Sequence, residues 1–339
     1  MPDVLPLATA MSEAQVSLEC CLEQVLEDGL GTASATIGIT RLRGGTKKGV
    51  YRAVADGRAV IVYVWDPSES YWPTAESGYS DDVSDPFSDA SGADLFVASN
   101  QCLKSLGVRT PELYFLDTSR TNVPADVAIV EDVQGDTLEE CWLRCPDDVP
   151  RLMSELRDML QAVHARHSPH VGKLPYVHGS APRDVRCEEL ALTRALAHLE
   201  HAATHIGRLR VARRALEDTL QSLASAIAPR MEYSLIHGEL GPDHVLVDER
   251  GHAVIIDIEG LMYFDVEWEH AFLAFRFDEH YRWLREVGLD EARLRFYTLC
   301  LHLSLCAGPL RLLKGDFPER DMVAGVIGYN TTKALDFVR

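Results

Sequence analysis

The chain has 339 residues, a formal net charge of -19 at pH 7, 46% hydrophobic residues and 25% charged residues. This length exceeds that at which one hydrophobic core usually stops growing, so two unequal domains or one large lobed domain are expected. The acidic balance, without a cluster of Lys and Arg, argues against a nucleic-acid partner, because phosphate backbones are bound by clustered cations. It is compatible with a cationic small-molecule ligand, and equally with carboxylates that only maintain solubility.

The cysteine pattern and the hydropathy indicate a cytoplasmic protein. Eight cysteines stand at irregular spacings without the paired CxxC pattern of a zinc site, which predicts reduced thiols. The first residues lack the basic and apolar regions of a secretory signal, and no run of ~20 apolar residues occurs. We therefore expect no membrane partner, and the oligomeric state stays open.

The first predicted elements are a helix over 12–28 and a meander of antiparallel strands over 36–64. The strands are predicted from apolar, β-branched runs broken by Gly44-Gly45 and by Asp56-Gly57. Residues 66–91 are rich in Ser, Asp, Pro and Gly, which is typical of a flexible insertion.

A helix over 94–106 follows, ending before a glycine that suits a helix C-terminus. Residues 112–117 and 127–133 are predicted as two more strands, and the Gln134-Gly135 step after them as a hinge between lobes. This organisation places an N-terminal, β-rich lobe at 1–134.

Beyond the hinge, the apolar residues recur at helical intervals, which predicts a helical lobe over 135–339. The predicted helices cover 152–165, 188–228, 266–277 and 289–313. Three short β-type runs interrupt them, at 233–236, 245–247 and 254–258.

Acidic and imidazole side chains concentrate between these short strands, from His237 to Asp257. Phosphoryl transfer needs a carboxylate to orient or deprotonate the attacking hydroxyl, and further hard ligands for a metal ion. Glu239, His244 and Asp257 are residues of these types. A lone histidine such as His237 is more often a core or surface residue than a ligand. Asp257 follows three apolar residues, and an acid at the end of a buried strand requires a partner or a metal.

The spacing of this run resembles a family signature. Residues 237–246 read HGELGPDHVL and are followed by a strand and Ile256-Asp257, similar to the HGDLxxxNVL and ID motifs of aminoglycoside phosphotransferases and related small-molecule kinases. Residues 264–271 resemble the GDPxxDLA segment of that family, and 160–164 its LxxxH helix end. The resemblance implies an α+β, protein-kinase-like fold with two lobes: a small antiparallel sheet in the N-terminal lobe and a larger helical C-terminal lobe.

The resemblance also implies roles for the candidate residues. Glu239 stands at the position of the catalytic aspartate, and His244 and Asp257 at the two metal-binding positions, with His237 bracing the backbone. The expected donor is ATP or GTP. Glutamate reaches one methylene further than aspartate, and positional errors of ~1 Å can cost ~100-fold in rate. Magnesium prefers oxygen ligands, so a histidine makes Mn²⁺ as suitable as Mg²⁺.

The N-terminal lobe departs from the family pattern. Tyr63 stands where the family has a lysine that holds the α and β phosphates. Lys47 and Lys48, within the Gly44, Gly45, Thr46 to Gly49 loop, are candidates to replace that cation, because backbone amides of such a loop can cradle phosphates. The alternative is a plain hairpin turn with solvated lysines. Main-chain groups near Glu131 and Val133 are expected to meet the adenine.

Two functions follow from the resemblance. The first is transfer of the γ-phosphoryl group of a nucleoside triphosphate to a hydroxyl of a small molecule, either an antibiotic or a biosynthetic intermediate. The second, motivated by Tyr63 and Glu239, is a pseudokinase-like protein that binds ligands without turnover. Tyr71, Trp72 and Trp268 are candidates to stack on a substrate, or simply to pack within the protein.

Overall fold

The computed structural model describes residues 13–31, 37–42, 46–55, 57–72, 85–177 and 186–339. The chain divides into two compact units. The N-terminal unit contains the described residues up to Glu69 and Glu112–Asp132, and the C-terminal unit contains Ser70–Pro111 and Val133–Arg339. The predicted 66–91 insertion thus begins in one unit and continues in the other, and its residues 73–84 lie outside the described ranges.

The N-terminal unit is an antiparallel sheet covered by one helix, α1 (Glu13–Leu30). The sheet has the order β1-β2-β3-β5-β4, with strands β1 (Ile37–Arg41), β2 (Gly49–Ala55), β3 (Arg58–Trp65), β4 (Leu113–Asp117) and β5 (Asp126–Glu131). Strand β3 is central, and its β-branched residues suit a strand with both faces covered. Leu22, Val25 and Leu26 of α1 are fully buried in the same core as Val60 and Val62. The predicted meander is confirmed, although Asp56 of its second turn lies outside the described residues.

The C-terminal unit is mainly helical. Its helices are α2 (Ala93–Ser105), α3 (Leu138–Arg144), α4 (Val149–His164), α5 (Cys187–His205), α6 (Gly207–Ser225), α7 (Val266–Phe277), α8 (Glu291–Leu312) and α9 (Arg320–Asp336). Within the described ranges, no helix combines the length and the apolar character needed to cross a membrane.

The helical run predicted over 188–228 consists of two helices. Helix α5 ends at His205, and α6 begins at Gly207. Between them Ile206 has an extended backbone with φ of -110° and ψ of 104°. A β-branched residue followed by glycine has low helix propensity, which explains the break. Helix α9 was not predicted, because its run of small and polar residues gives a weak amphipathic pattern.

Two small sheets of the C-terminal unit fix the ends of the segment from His237 to Asp257. One has the order β11-β10-β6, with β6 (Gly135–Thr137), β10 (Val245–Asp248) and β11 (Ala253–Ile255). The other has the order β7-β9-β12-β8, with β7 (His167–Ser168), β8 (Gly172–Lys173), β9 (Tyr233–Ile236) and β12 (Met262–Phe264). The three β-type runs of the sequence are therefore strands, the last of them ending at Ile255.

Both described ends of the insertion are attached to the C-terminal unit. The ring of Tyr71 lies edge-on to Phe317 at 5.5 Å, and Phe87 packs against Trp268 at 4.8 Å. Lys173 is only 1% exposed, and its ammonium donates to the carbonyls of Ser88 and Asp89. For Tyr71 and Trp268, packing within the protein is thus the observed arrangement.

Candidate active site

The loop after β9 is held through its main chain. The amide of Gly238 donates to Oε2 of Glu269 at 2.6 Å, and the Gly238 carbonyl accepts from the indole of Trp268 at 3.2 Å. Glu269 lies in α7 and is fully buried. Gly238 has a φ of +89°, a conformation that residues with a Cβ rarely adopt. Helix α7 therefore sets the position of the residue that follows, Glu239.

His237 joins the two chain segments of the site. Its Nε2 donates to the carbonyl of Ile256 at 3.2 Å, and the side chain is 5% exposed. This bond connects the loop after β9 with the residues just before Asp257. The predicted bracing role of His237 is the one observed.

His244 has its protonation pattern set by a backbone carbonyl. Nδ1 lies 3.1 Å from the carbonyl oxygen of Glu239, and because a carbonyl only accepts hydrogen bonds, Nδ1 must carry the hydrogen. In the neutral ring Nε2 then has a free lone pair. Nε2 lies 3.9 Å from Oδ2 of Asp257 and 3.9 Å from Oδ2 of Asp243. These separations exceed a hydrogen bond and leave room for an ion that binds both kinds of atom.

Asp257 occupies an unusual backbone conformation. Its φ of 57° and ψ of 48° place it in the left-handed region, which aspartate enters more readily than most residues. The side chain is 51% exposed. The carboxylate is thus not buried with the strand before it, because the chain turns out of the sheet after Ile255. The turn instead directs the carboxylate towards His244.

Glu239 is exposed, and its carboxylate makes no hydrogen bond or ion pair with any described residue. Only its backbone carbonyl is engaged, by His244. The side chain can therefore reorient towards a ligand while the backbone beneath it stays fixed.

In the N-terminal unit, the predicted glycine loop is described from Thr46 onwards, and Gly44 and Gly45 lie outside the described residues. Thr46, Lys47 and Lys48 form a bend that leads into β2. A Cβ at Gly49 would come within 2.8 Å of the Tyr51 ring and 2.9 Å of the Glu69 carboxyl carbon, so close packing alone requires a glycine here.

Lys48 packs on the residue that replaces the family lysine. Its ammonium lies 4.8 Å from the ring centroid of Tyr63, and both side chains are 8% exposed. A cation over a tyrosine face is attracted by the negative charge of the ring. Lys48 is therefore buried rather than solvated. It places a positive charge next to position 63, where the family pattern has a lysine.

The side chains of the predicted adenine-binding strand are occupied within their own unit. Oε2 of Glu131 accepts the amide of Glu112 at 3.1 Å, and Asp132 pairs with Arg52 at 2.8 Å. Val133, the first residue of the other unit here, is 7% exposed. Because these side chains are engaged, the expected contact with the adenine would have to come from the main chain. That contact remains a prediction.

The sequence itself decides the family. A sequence model of the phosphotransferase enzyme family matches residues 39–298, which is most of the chain. The chain belongs to this family. A comparison with curated proteins found no match.

Solved structures of aminoglycoside phosphotransferases share the fold of this family member. A thermostable mutant of APH(4)-Ia in the apo form has a TM-score of 0.61 and 16% identity, over 92% of this chain and 98% of that one. The GDP and kanamycin complex of APH(2")-IIia has a TM-score of 0.59 and 17% identity, over 93% and 98%. The predicted kinase-like α+β fold, with an antiparallel sheet in one lobe and helices in the other, is confirmed.

The structure adds residues to the candidate site that the sequence alone did not assign. Arg276 of α7 donates to Asp243 at 2.6 Å, beside His244. Burial acts to raise the pKa of Asp243, but the charges of His244 and Arg276 outweigh it and hold that pKa below its ordinary value. Glu269 also belongs to this set. Its place in the 264–271 segment, which resembles GDPxxDLA, is the sequence feature that could have indicated it. No local sequence pattern links Arg276 to Asp243.

Proposed function

We propose that this family member transfers the γ-phosphoryl group of ATP or GTP to a hydroxyl of a small molecule. The observation that carries the proposal is the pair formed by His244 and Asp257. A lone pair on Nε2, oriented by the Glu239 carbonyl, faces a carboxylate oxygen at 3.9 Å. Such a pair is suited to holding a cation rather than to bonding directly.

Glu239 is the proposed catalytic residue. In this mechanism, its carboxylate accepts a hydrogen bond from the acceptor hydroxyl, orients the oxygen towards the γ-phosphorus and takes up the proton as the new P–O bond forms. The bond from the γ-phosphorus to the bridging oxygen breaks at the same time, and the nucleoside diphosphate leaves with that oxygen. The carboxylate of Glu239 is exposed, while Glu269 and Trp268 hold the neighbouring residue Gly238. A mobile acid on a fixed backbone can adjust to the extra methylene of glutamate.

His244 and Asp257 are the proposed metal ligands. A bound Mg²⁺ or Mn²⁺ would neutralise charge on the phosphate oxygens of the nucleotide. The donor set fits, since one imidazole nitrogen and one carboxylate lie within reach of a single ion. Because one donor is nitrogen, Mn²⁺ suits the pair at least as well as Mg²⁺.

The N-terminal unit is proposed to contribute phosphate and adenine contacts. We assign the phosphate-binding cation to Lys48, placed by Tyr63, with support from Lys47 and the amides from Gly44 to Gly49. Main-chain groups between Glu131 and Val133 would meet the adenine. The support for this part is the cation over Tyr63.

The proposed acceptor is a hydroxylated, cationic small molecule, such as an antibiotic or a biosynthetic intermediate. The net charge of -19 favours a cation. Two of the structural neighbours were solved with hygromycin B and with kanamycin. All eight cysteines are free thiols, in keeping with a cytoplasmic enzyme that draws on the nucleoside triphosphate pool.

The test combines binding and turnover. Calorimetry with a non-hydrolysable triphosphate is expected to show binding that depends on Mg²⁺ or Mn²⁺ and weakens in Asp257→Asn. Mass spectrometry over a panel of aminoglycosides and other hydroxylated amines should then reveal products heavier by one phosphoryl group. Metal-dependent binding without any product would favour the pseudokinase-like alternative. Absence of both binding and product would refute the two functions together.

A further inference from the structure

Two histidines and a glutamate meet inside the C-terminal unit, outside the loop from His237 to Asp257. His164 ends α4, His270 lies in α7, and Glu286 follows the short helical turn over 278–283. One ligand atom from each residue can be chosen so that all three atoms lie within 4.8 Å of one another. His164 precedes Glu286 by 122 positions, so only the fold brings it to the other two residues.

The two imidazoles are buried and incompletely bonded. His164 is 4% exposed and His270 is 0% exposed. Nε2 of His270 is inaccessible to solvent and has no hydrogen-bond partner among the described residues. Buried polar atoms are nearly always paired, so this nitrogen, which lies 4.0 Å from Glu286, points to a missing ligand.

The hydrogen bonds of the cluster direct one lone pair inwards. Nδ1 of His270 lies 3.2 Å from the hydroxyl of Tyr281, to which it can donate, and Nε2 then faces Oε1 of Glu286 at 4.0 Å. A metal-bound histidine typically donates its second N–H to such a neighbouring group. His164 approaches the same carboxylate, with Nδ1 2.7 Å from Oε1 of Glu286.

We propose that His164, His270 and Glu286 form a second metal site, which binds one divalent transition-metal ion of the zinc class. Two histidines and a glutamate are an established ligand set for zinc, with bonds of ~2.0–2.2 Å. Tetrahedral geometry then separates the ligand atoms by about 3.3 Å. The present separations of 2.7 and 4.0 Å bracket this value. Glu286 is 23% exposed, which leaves a path for the ion and for water as a fourth ligand.

The bound ion would connect three elements beneath the reaction centre. It would join the end of α4, the middle of α7 and the segment that carries Glu286. His270 directly follows Glu269, which holds the amide of Gly238. The proposed role is therefore to stabilise the part of α7 that positions the catalytic loop, in addition to the phosphotransfer proposed above.

The experiment must separate this site from the proposed reaction-centre metal. The full chain carrying His244→Ala and Asp257→Asn, which lacks the reaction-centre ligands, serves as the background. After chelation, it is loaded with Co²⁺ or Zn²⁺ and desalted. Bound metal is measured by elemental analysis, and Co²⁺ coordination by its visible absorption spectrum. Glu286→Gln and His270→Gln are then added singly, with folding checked by circular dichroism.

His252→Gln provides a matched control. His252 and Glu155 form a similar histidine–glutamate pair, with Nδ1 3.2 Å from the carboxylate oxygen, but His252 is 60% exposed and belongs to no three-residue cluster among the described residues. This variant should retain as much metal as the background.

The background is expected to retain about one equivalent of Zn²⁺ or Co²⁺ per chain, and Glu286→Gln to lose at least about tenfold in affinity. Zn²⁺ should also raise the thermal unfolding midpoint of the background but not of Glu286→Gln. The proposal is overturned if the background retains no ion, or if folded Glu286→Gln binds as much as the background. The background lacks both proposed reaction-centre ligands, so the metal that it retains reports on this second site whether or not the wild-type protein transfers phosphoryl groups. The two proposals can therefore fail independently.

Discussion

The loop from His237 to Asp257 and the hairpin from Thr46 to Trp65 respond differently to the loss of family residues. In the loop, the replaced positions are supported through the main chain: Glu269 and Trp268 hold Gly238, and the Glu239 carbonyl orients His244. In the hairpin, the proposed phosphate contact depends on the charge of one side chain, which is a lysine in the family pattern at the position of Tyr63. Tyr63 cannot supply that charge, and Lys48 from the neighbouring strand end lies over its ring.

We infer from this contrast between loop and hairpin which kinds of substitution each region of this chain tolerates. A residue that acts from a fixed backbone can change its side-chain length, and glutamate replaces aspartate at both Glu239 and Glu269. A residue that acts through its charge alone needs a second residue with that charge nearby. Four predictions test this comparison.

The largest effect is expected for Glu239→Gln. Removing the carboxylate that accepts the proton should lower kcat by about 10²–10⁴-fold, the usual contribution of a general base. Steady-state kinetics on the acceptor found in the product screen would measure it. Glu239→Asp keeps a carboxylate on the same fixed backbone, and we expect kcat to fall by far less than in Glu239→Gln. Equal losses of kcat in the two variants would show that the length of this side chain cannot change.

The second prediction concerns what supports the loop. Asp265, fully buried at the start of α7, pairs with Arg293 and accepts the Tyr297 hydroxyl at 2.6 Å. Arg293→Met leaves this carboxylate short of a partner, and we expect the free energy of unfolding to fall by about 3 kcal/mol in urea titrations. Arg230 still contacts Asp265 at 3.2 Å, so the loss of free energy should lie at the lower end of the range of about 3–5 kcal/mol that is typical of a broken buried ion pair.

The N-terminal unit offers the matched control for that variant. Arg120 pairs with Asp126 at 2.8 Å, and their side chains are 63% and 20% exposed, so Arg120→Met should leave the midpoint of urea unfolding nearly unchanged. Equal losses in the two variants would contradict the contrast between a buried support in one unit and a surface pair in the other.

The third prediction tests the replacement cation. Lys48→Met should raise KM for the nucleotide by about tenfold, the value of one hydrogen bond to a charged group. Adding Tyr63→Lys, which restores the family residue, should recover most of the loss. Lys104→Met, an exposed lysine on α2, is the control for a general effect of charge. Failure of Tyr63→Lys to rescue a folded Lys48→Met protein would show that the two positions do not exchange roles.

The smallest effect is expected for His244→Asn. An amide oxygen in place of the imidazole nitrogen shifts the ligand set towards oxygen, so the ratio of activity with Mn²⁺ to activity with Mg²⁺ should fall, by less than about tenfold. Parallel assays with each ion measure the ratio. An unchanged ratio would indicate that His244 does not contact the ion.

The sequence was sufficient for the family and the fold, whereas the roles of Glu239, His244 and Asp257 stay predictions. The motif at 237–246 and the apolar, β-branched run of β3 are local patterns, and both the family and the antiparallel sheet followed from such patterns. The break at Ile206 was missed because apolar residues continue at helical spacing across it. A single residue with an extended backbone does not change the periodicity of the sequence enough to be noticed.

Contacts between distant elements were beyond local patterns. Arg276 with Asp243, Lys48 with Tyr63, and the cluster of His164, His270 and Glu286 each join residues of different elements. Charged and aromatic residues have many possible partners in a sequence, and only the packed helices and strands select one. The half-exposed carboxylate of Asp257 is a further example, because a single left-handed residue carries it out of the buried sheet.

The contacts of Tyr71 and Phe87 have a consequence for the described residues on both sides of 73–84. Tyr71 packs on Phe317, and Phe87 packs on Trp268. Lys173 adds two carbonyl contacts, to Ser88 and Asp89. These contacts anchor the chain on both sides of 73–84 without any contribution from residues 73–84 themselves.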